Sequence, residues 1–185
     1  GDLTEHVVMV VRGIVRLSKE GVGQRLQIIR LLKPYDTFGY RSAMAGDSHS
    51  TSATALEPTI LYYVERDAFL EVIQKNIKFC YAVLVAMSKD LGISETQTVN
   101  LTQKHIRGRL AETLITLKNT YGLDGDGATI AMYIAREDLA NMSNMTTSNA
   151  IRTLSQFASE GLISLDGRKI KLLDESELTR ISRLG

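Results

Sequence analysis

With 185 residues the chain has room for one large domain or two small ones, each with its own core. An apolar share of 44% and only two prolines exclude a disordered or fibrous chain. A net charge of +1 lacks the basic excess of an indiscriminate nucleic-acid binder, yet leaves room for a local basic patch. The single cysteine, Cys80, rules out a disulfide framework within the chain and fits a reducing compartment. No apolar run reaches the roughly 18 residues of a spanning helix, and no signal-peptide pattern opens the chain. The expected location is therefore the cytoplasm, with no membrane partner. Because Gly1 enters in the middle of a strand pattern, a preceding N-terminal piece is expected.

Residues 6–12, 14–18 and 25–32 are rich in Val, Ile and Leu, broken by Gly13 and by residues 20–23, and predict three strands. A turn at residues 33–36 leads into a loop rich in Gly, Ser, Thr and Ala that runs from Phe38 to about Ser52. Two more strands, 51–56 and 60–64, hinge at Glu57–Pro58. Short strands at such close spacing predict a sandwich or roll.

Helical periodicity begins at Arg66, with a short helix over 67–74 and a long one from 77 to about 101. The long helix carries two apolar rows, Ile77, Leu84, Leu91 and Thr98 in one, Cys80, Met87, Ser94 and Leu101 in the other. At roughly 35 Å it is longer than a small domain needs for its own packing. It is either a dimer seam or a core helix lying on the β domain. A further amphipathic helix spans 106–119, then a Gly/Asp turn at 122–127 and a short strand at 129–134.

Residues 136–163 predict two short helices joined by a corner at Ser143, Asn144 and Met145. Leu139, Ala140 and Met142 are apolar on the first, and Ala150, Ile151, Leu154, Phe157 and Ala158 on the second. The second opens with Thr146, Thr147, Ser148 and Asn149, and Arg152 follows one turn later. A helix that packs by its back half and presents short polar groups at its leading end suits major-groove reading. Strands at 162–165 and 169–173 flank Asp166–Gly167–Arg168, a hairpin signal. Helix, corner, helix and hairpin make a winged helix-turn-helix, and a helical tail starts at Asp174.

This layout resembles the Crp/Fnr family of bacterial transcription regulators. The resemblance is carried by Val11–Arg12–Gly13–Ile14–Val15, by Phe38–Gly39, by Arg107–Gly108–Arg109–Leu110–Ala111 and by residues 136–154. It implies an α+β fold: an N-terminal double-stranded β-roll of the cyclic-nucleotide-binding type, partly missing at its start, a long dimerisation helix, and a C-terminal winged helix-turn-helix. The corresponding domains are 1–75, 76–103 and 104–185. It further implies a homodimer that binds double-stranded DNA, works with RNA polymerase and answers to a small-molecule effector in the roll.

The family's ligand loop carries a Glu after its Phe-Gly pair and an Arg-Ser pair about ten residues on. Here those places hold Tyr40 and the run His49–Ser50–Thr51–Ser52. A buried phosphodiester without a cationic partner costs several kcal/mol, roughly. Ordinary cyclic AMP binding is therefore not expected. Arg41 is either a substitute cation or an exposed loop residue. Tyr40, Arg41, Ser50 and Thr51, with Ser94 and Glu95 of the long helix, are the candidate lining of the effector pocket. One cysteine cannot hold an iron–sulfur cluster. His6, His49 and His105 are scattered, although a haem or gas sensor stays open as an alternative. The cofactor and effector are unassigned.

By the same resemblance Arg152 stands where the recognition helix places its Arg, whose guanidinium bridges guanine O6 and N7. Thr147 and Ser148 hold positions that often carry Arg and Glu, so a TGTGA-like half-site is not expected. Thr146 caps the helix and can touch a phosphate, and Asn149 either pairs with adenine or turns to the first helix. Lys169 and Arg168 on the wing, with Lys104 and Arg107, are candidate phosphate contacts. Asn144 stands where the corner commonly has Gly and tolerates positive φ. Two other classes compete: an enzyme on the roll, for which Ser48–His49–Ser50 has no supporting partners, and a partner-binding module whose winged helix does not read DNA.

Overall fold

The computed structural model describes residues 3–185. It divides into two compact units, one up to Ser94 and one from Glu95.

In the first unit, β1 (His6–Arg12) and β2 (Val15–Glu20) are joined at Gly13. Its φ is +93°, and a Cβ there would stand 2.5 Å from Thr59 Oγ1 and 2.9 Å from Pro58 O, so only glycine makes this step. Then come β3 (Leu26–Leu32), β4 (Thr37–Phe38), helix α1 (Tyr40–Ala45), β5 (Ser52–Ala55) and β6 (Ile60–Glu65). The strands form two three-stranded antiparallel sheets, ordered β4-β1-β6 and β3-β2-β5. Val10, Val15 and Leu32 are buried together, with Leu17, Phe38 and Leu61 packed around them. Valine, leucine and phenylalanine side chains supply this inward face.

Helix α1 corrects the expectation of an unbroken loop over residues 38–52. It has only six residues and no side-chain cap, too little to announce itself by propensity. Tertiary packing holds it instead. Its Ala43 is buried against Val7 and Phe69, alongside Tyr40, Met44, Val64, Leu70, Ile73 and Val83. Phe69, Leu70 and Ile73 come from α2 (Arg66–Lys75), and Val83 from α3 (Ile77–Gln103).

Of the 27 residues of α3, all described, none is buried. Its half-buried row is Cys80, Val83, Met87 and Asp90. The neighbouring face leaves Ile77, Tyr81, Leu84 and Leu91 in solvent. Cys80 in that row is only half-buried.

The second unit contains α4 (Ile106–Tyr121), α5 (Arg136–Met142), α6 (Thr147–Ser159), a hairpin of β7 (Ile163–Asp166) and β8 (Lys169–Leu172), and α7 (Glu175–Leu184). Leu110, Leu114 and Leu117 of α4 are buried with Leu139, Leu154, Phe157, Ile163, Ile170 and Leu178. The strand expected at residues 129–134 does not form. Thr129 and Ile130 make single bridges, to Lys171 and Leu123, and Ala131 and Tyr133 are exposed. Here alternation marks an extended segment that finds no continuous pairing partner.

Candidate nucleic-acid interface

Helix α6 begins at a cap made by its own sequence: the Thr146 side chain accepts a hydrogen bond from Asn149 N at 3.2 Å. Ala150, Thr153, Leu154 and Phe157 are buried on one side. Thr147, Ser148, Ile151, Arg152 and Ser155 lie exposed on the other. Arg152 Nη2 donates to Asn149 Oδ1 at 2.9 Å, an (i, i+3) contact that steadies the guanidinium on the exposed face. The Asn149 amide oxygen is thus engaged by Arg152, within α6 itself. The expectation that Ile151 packs inward is corrected: it is 49% exposed.

The corner holds α6 against α5 by three devices. Asn144 takes φ +49°, the left-handed turn that its short amide tolerates. Ser143 Oγ and Thr113 Oγ1 are hydrogen-bonded at 2.8 Å in a buried site, tying the corner to α4. Arg109 Nη2 donates to Asn144 O at 3.2 Å, and Arg109 Nη1 to Leu101 O at 3.1 Å. The exposed face of α6 is therefore presented by a braced support.

The wing is braced as well. Arg136, the first residue of α5, donates from Nη2 to Gly167 O at 2.6 Å. Burial pulls its pKa down, because desolvation disfavours the cation. Asp126 accepts from Ala128 N, Thr129 N and Thr129 Oγ1 at 3.0, 2.8 and 2.8 Å, and pairs with Lys171 at 3.2 Å. Its carboxyl lies far below the usual carboxylate range, held there first by the two backbone donors. Lys169 Nζ sits 5.2 Å from the centre of the Tyr133 ring, whose hydroxyl donates to Asp124 at 2.8 Å. Arg168 is exposed at the wing tip.

Two cations considered for phosphate contacts have partners within the protein. Arg107 forks onto Glu160 at 2.8 and 2.7 Å and lies 4.8 Å from the Phe157 ring centre. That pairing raises the guanidinium's pKa and lowers the carboxyl's. Lys104 binds Glu112 at 2.9 Å.

In the first unit, Tyr40 and Arg41 stand on α1. Arg41 donates to Ser50 Oγ at 2.6 Å and to Ser42 Oγ at 3.3 Å, and lies 3.9 Å from Asp47. It is a helix residue facing its own loop. The Tyr40 hydroxyl donates to Asp90, and Arg30 grips the same carboxylate at 3.1 and 3.0 Å. Thr51 is half-buried, while Ser94 and Glu95 are exposed.

Arg30 and Asp90 were not singled out from the sequence, although each left a trace. Arg30 is the one charged residue of β3, and Asp90 is the one acid in the half-buried row of α3.

A β-roll, a long helix and a winged helix-turn-helix in this order define the architecture of a bacterial DNA-binding regulator. Known proteins agree. The cyclic nucleotide-binding domain family matches residues 1–76, and the Crp-like helix-turn-helix domain family matches residues 108–181. The nitrogen fixation regulation protein FixK of Azorhizobium caulinodans is 26% identical, over 97% of this chain and 73% of its own. A CRP-like cAMP-activated global transcriptional regulator of Mycobacterium tuberculosis is 22% identical, over 99% and 82%. Among solved structures, FixK2 from Bradyrhizobium japonicum superposes with a TM-score of 0.87 at 25% identity, covering 97% of this chain and 88% of that one. The chain belongs to the Crp/Fnr family of transcription regulators. Proteins of this kind bind DNA through the helix-turn-helix, and they are regulators and not enzymes. Among the described residues no helix is long and apolar enough to cross a membrane.

Proposed function

We propose that the chain acts as a homodimer whose two α6 helices read the half-sites of an inexact palindrome in double-stranded DNA. The observation that carries this reading is the exposed polar leading end of α6, with Thr147, Ser148 and Arg152 in front of a fully packed back face. Arg152 is the base-reading residue, directed at guanine. Thr147, Ser148 and Asn149 set the rest of the leading edge. Thr146 and Lys169 contact phosphates and position the helix without choosing a sequence.

Residues 1–75 serve as the sensor, 76–103 as the dimerisation helix and 104–185 as the DNA-binding domain. Support for the seam comes from the open apolar face of α3, where Ile77, Lys78, Cys80, Tyr81 and Leu84 line a hollow. A patch of this kind on a soluble regulator marks a protein contact. Ile77, Leu84 and Leu91 form its exposed row, Cys80 and Met87 its flank, and Ser94, Thr98 and Leu101 its continuation.

The effector differs from cyclic AMP bound in the usual manner. Tyr40 fills the place of the family's Glu and is engaged with Asp90, and Arg41 with Ser50. An effector, if used, would meet Tyr40, Arg41, Ser50 and Thr51, with Ser94 and Glu95 beyond. RNA polymerase is the downstream partner, and the cytoplasm the site of action.

Selection from a random duplex pool tests the reading. The expected result is a palindrome with half-site centres about 34–36 Å, or one helical turn, apart. A chain that enriches no duplex would instead be a partner-binding module, and the reading would fall.

A further inference from the structure

We infer that Ile151 selects a thymine by its 5-methyl group, at the base pair beside the one read by Arg152; this rests on the DNA reading above. The buried side of α6 is complete without Ile151, since Ala150, Leu154 and Phe157 already fill it. Ile151 stands instead on the exposed face, one turn beyond Thr147, with Arg152 next to it and one turn beyond Ser148. It is the one large apolar side chain of α6 left half in solvent.

In the major groove the thymine methyl is the one apolar group that projects from a base edge. A branched aliphatic side chain pressed against an amine, an oxygen or N7 would strip water from that group and return no hydrogen bond. Against the methyl it buries apolar surface on both partners. The Arg152–Asn149 bond adds to the selection, because it draws the guanidinium toward the start of the helix and away from Ile151. Two neighbouring side chains thus read two chemistries, one hydrogen-bonding and one apolar. The Thr147 methyl, four residues earlier, widens the apolar strip.

The test uses the duplex selected by the full chain. Each thymine is replaced in turn by deoxyuridine, which removes the methyl and leaves the hydrogen-bonding edge intact. One position per half-site, next to the guanine whose preference Arg152→Ala abolishes, is expected to weaken binding roughly three- to tenfold for the symmetric pair. In Ile151→Ala the same uracil should cost nothing, while affinity for random duplex stays within twofold, roughly, because no phosphate contact is lost. Placing 5-methylcytosine there should bind better than cytosine with the wild-type chain and equally with Ile151→Ala. If no uracil weakens binding, or if its effect persists in Ile151→Ala, the inference is overturned and the DNA reading stands. A chain that enriches no duplex overturns both.

Discussion

The Tyr40 hydroxyl donates to the Asp90 carboxylate, a contact between residues 50 apart in sequence that joins α1 to the long helix α3. Arg30 of β3 donates to both oxygens of the same carboxylate. By the family resemblance Tyr40 takes the place of a ligand-binding Glu, and here its hydroxyl is engaged with Asp90 of α3. Adding cyclic AMP should leave the affinity for the selected duplex unchanged, as titration by fluorescence anisotropy would show. A tightening of tenfold or more would contradict this.

The same bridge predicts a pH dependence. Burial, and then Asp90, raises the Tyr40 pKa from 10.0 to about 12. A raised pKa means the folded state favours the neutral phenol. Its stabilising contribution is complete below pH 10 and fades as pH rises toward 12. The melting temperature of Tyr40→Phe should lie a few degrees below wild type at pH 8, roughly one lost hydrogen bond. That gap should close between pH 10 and 12. A gap independent of pH would assign the loss to packing instead.

Arg152→Ala and Lys169→Ala should separate specificity from affinity. On the proposed reading the first removes a bidentate base contact, so selection should relax at one position per half-site, a loss of about 1–3 kcal/mol of discrimination. The second should weaken all duplexes alike and lower the slope of log affinity against log salt by about one per protomer. An unchanged motif with Arg152→Ala would remove that residue from the readout.

The α3 face predicts a monomer on charge insertion. Leu84 and Leu91 are 51% and 61% exposed, so neither supports the fold of a single chain. Leu84→Lys loses one buried leucine from each protomer, about 3 kcal/mol per dimer and roughly a hundredfold in the dissociation constant. Sedimentation should show single chains at micromolar concentration with an unchanged circular dichroism spectrum. A persistent dimer would place the seam elsewhere.

At the corner, Asn144 holds φ +49°. Asn144→Gly should be neutral within about 0.5 kcal/mol, whereas Asn144→Val should destabilise the second unit by about 1–2 kcal/mol through its Cβ and branched side chain. Thermal melts of the three proteins decide it. A Val variant as stable as wild type would mean the turn rearranges at no cost.

Much of this protein was decided by its sequence alone, wherever the physics is local. Apolar spacing at 3.6 residues set out α4, α5 and α6, Thr146 supplied a cap, Asn144 a left-handed turn, and Asp166–Gly167 a hairpin. Each rule spans at most a few residues, so each can be read in one dimension. Tertiary structure decided the rest. Helix α1 exists because Ala43 packs under Val7 and Phe69, and the residue 129–134 strand fails for want of a neighbour to pair with. Arg107 meets Glu160 across 53 residues and Arg30 meets Asp90 across 60. Only the folded chain chooses among the acids that such cations could reach, and only it turns Ile151 outward, because a helix's apolar face is defined by what packs against it.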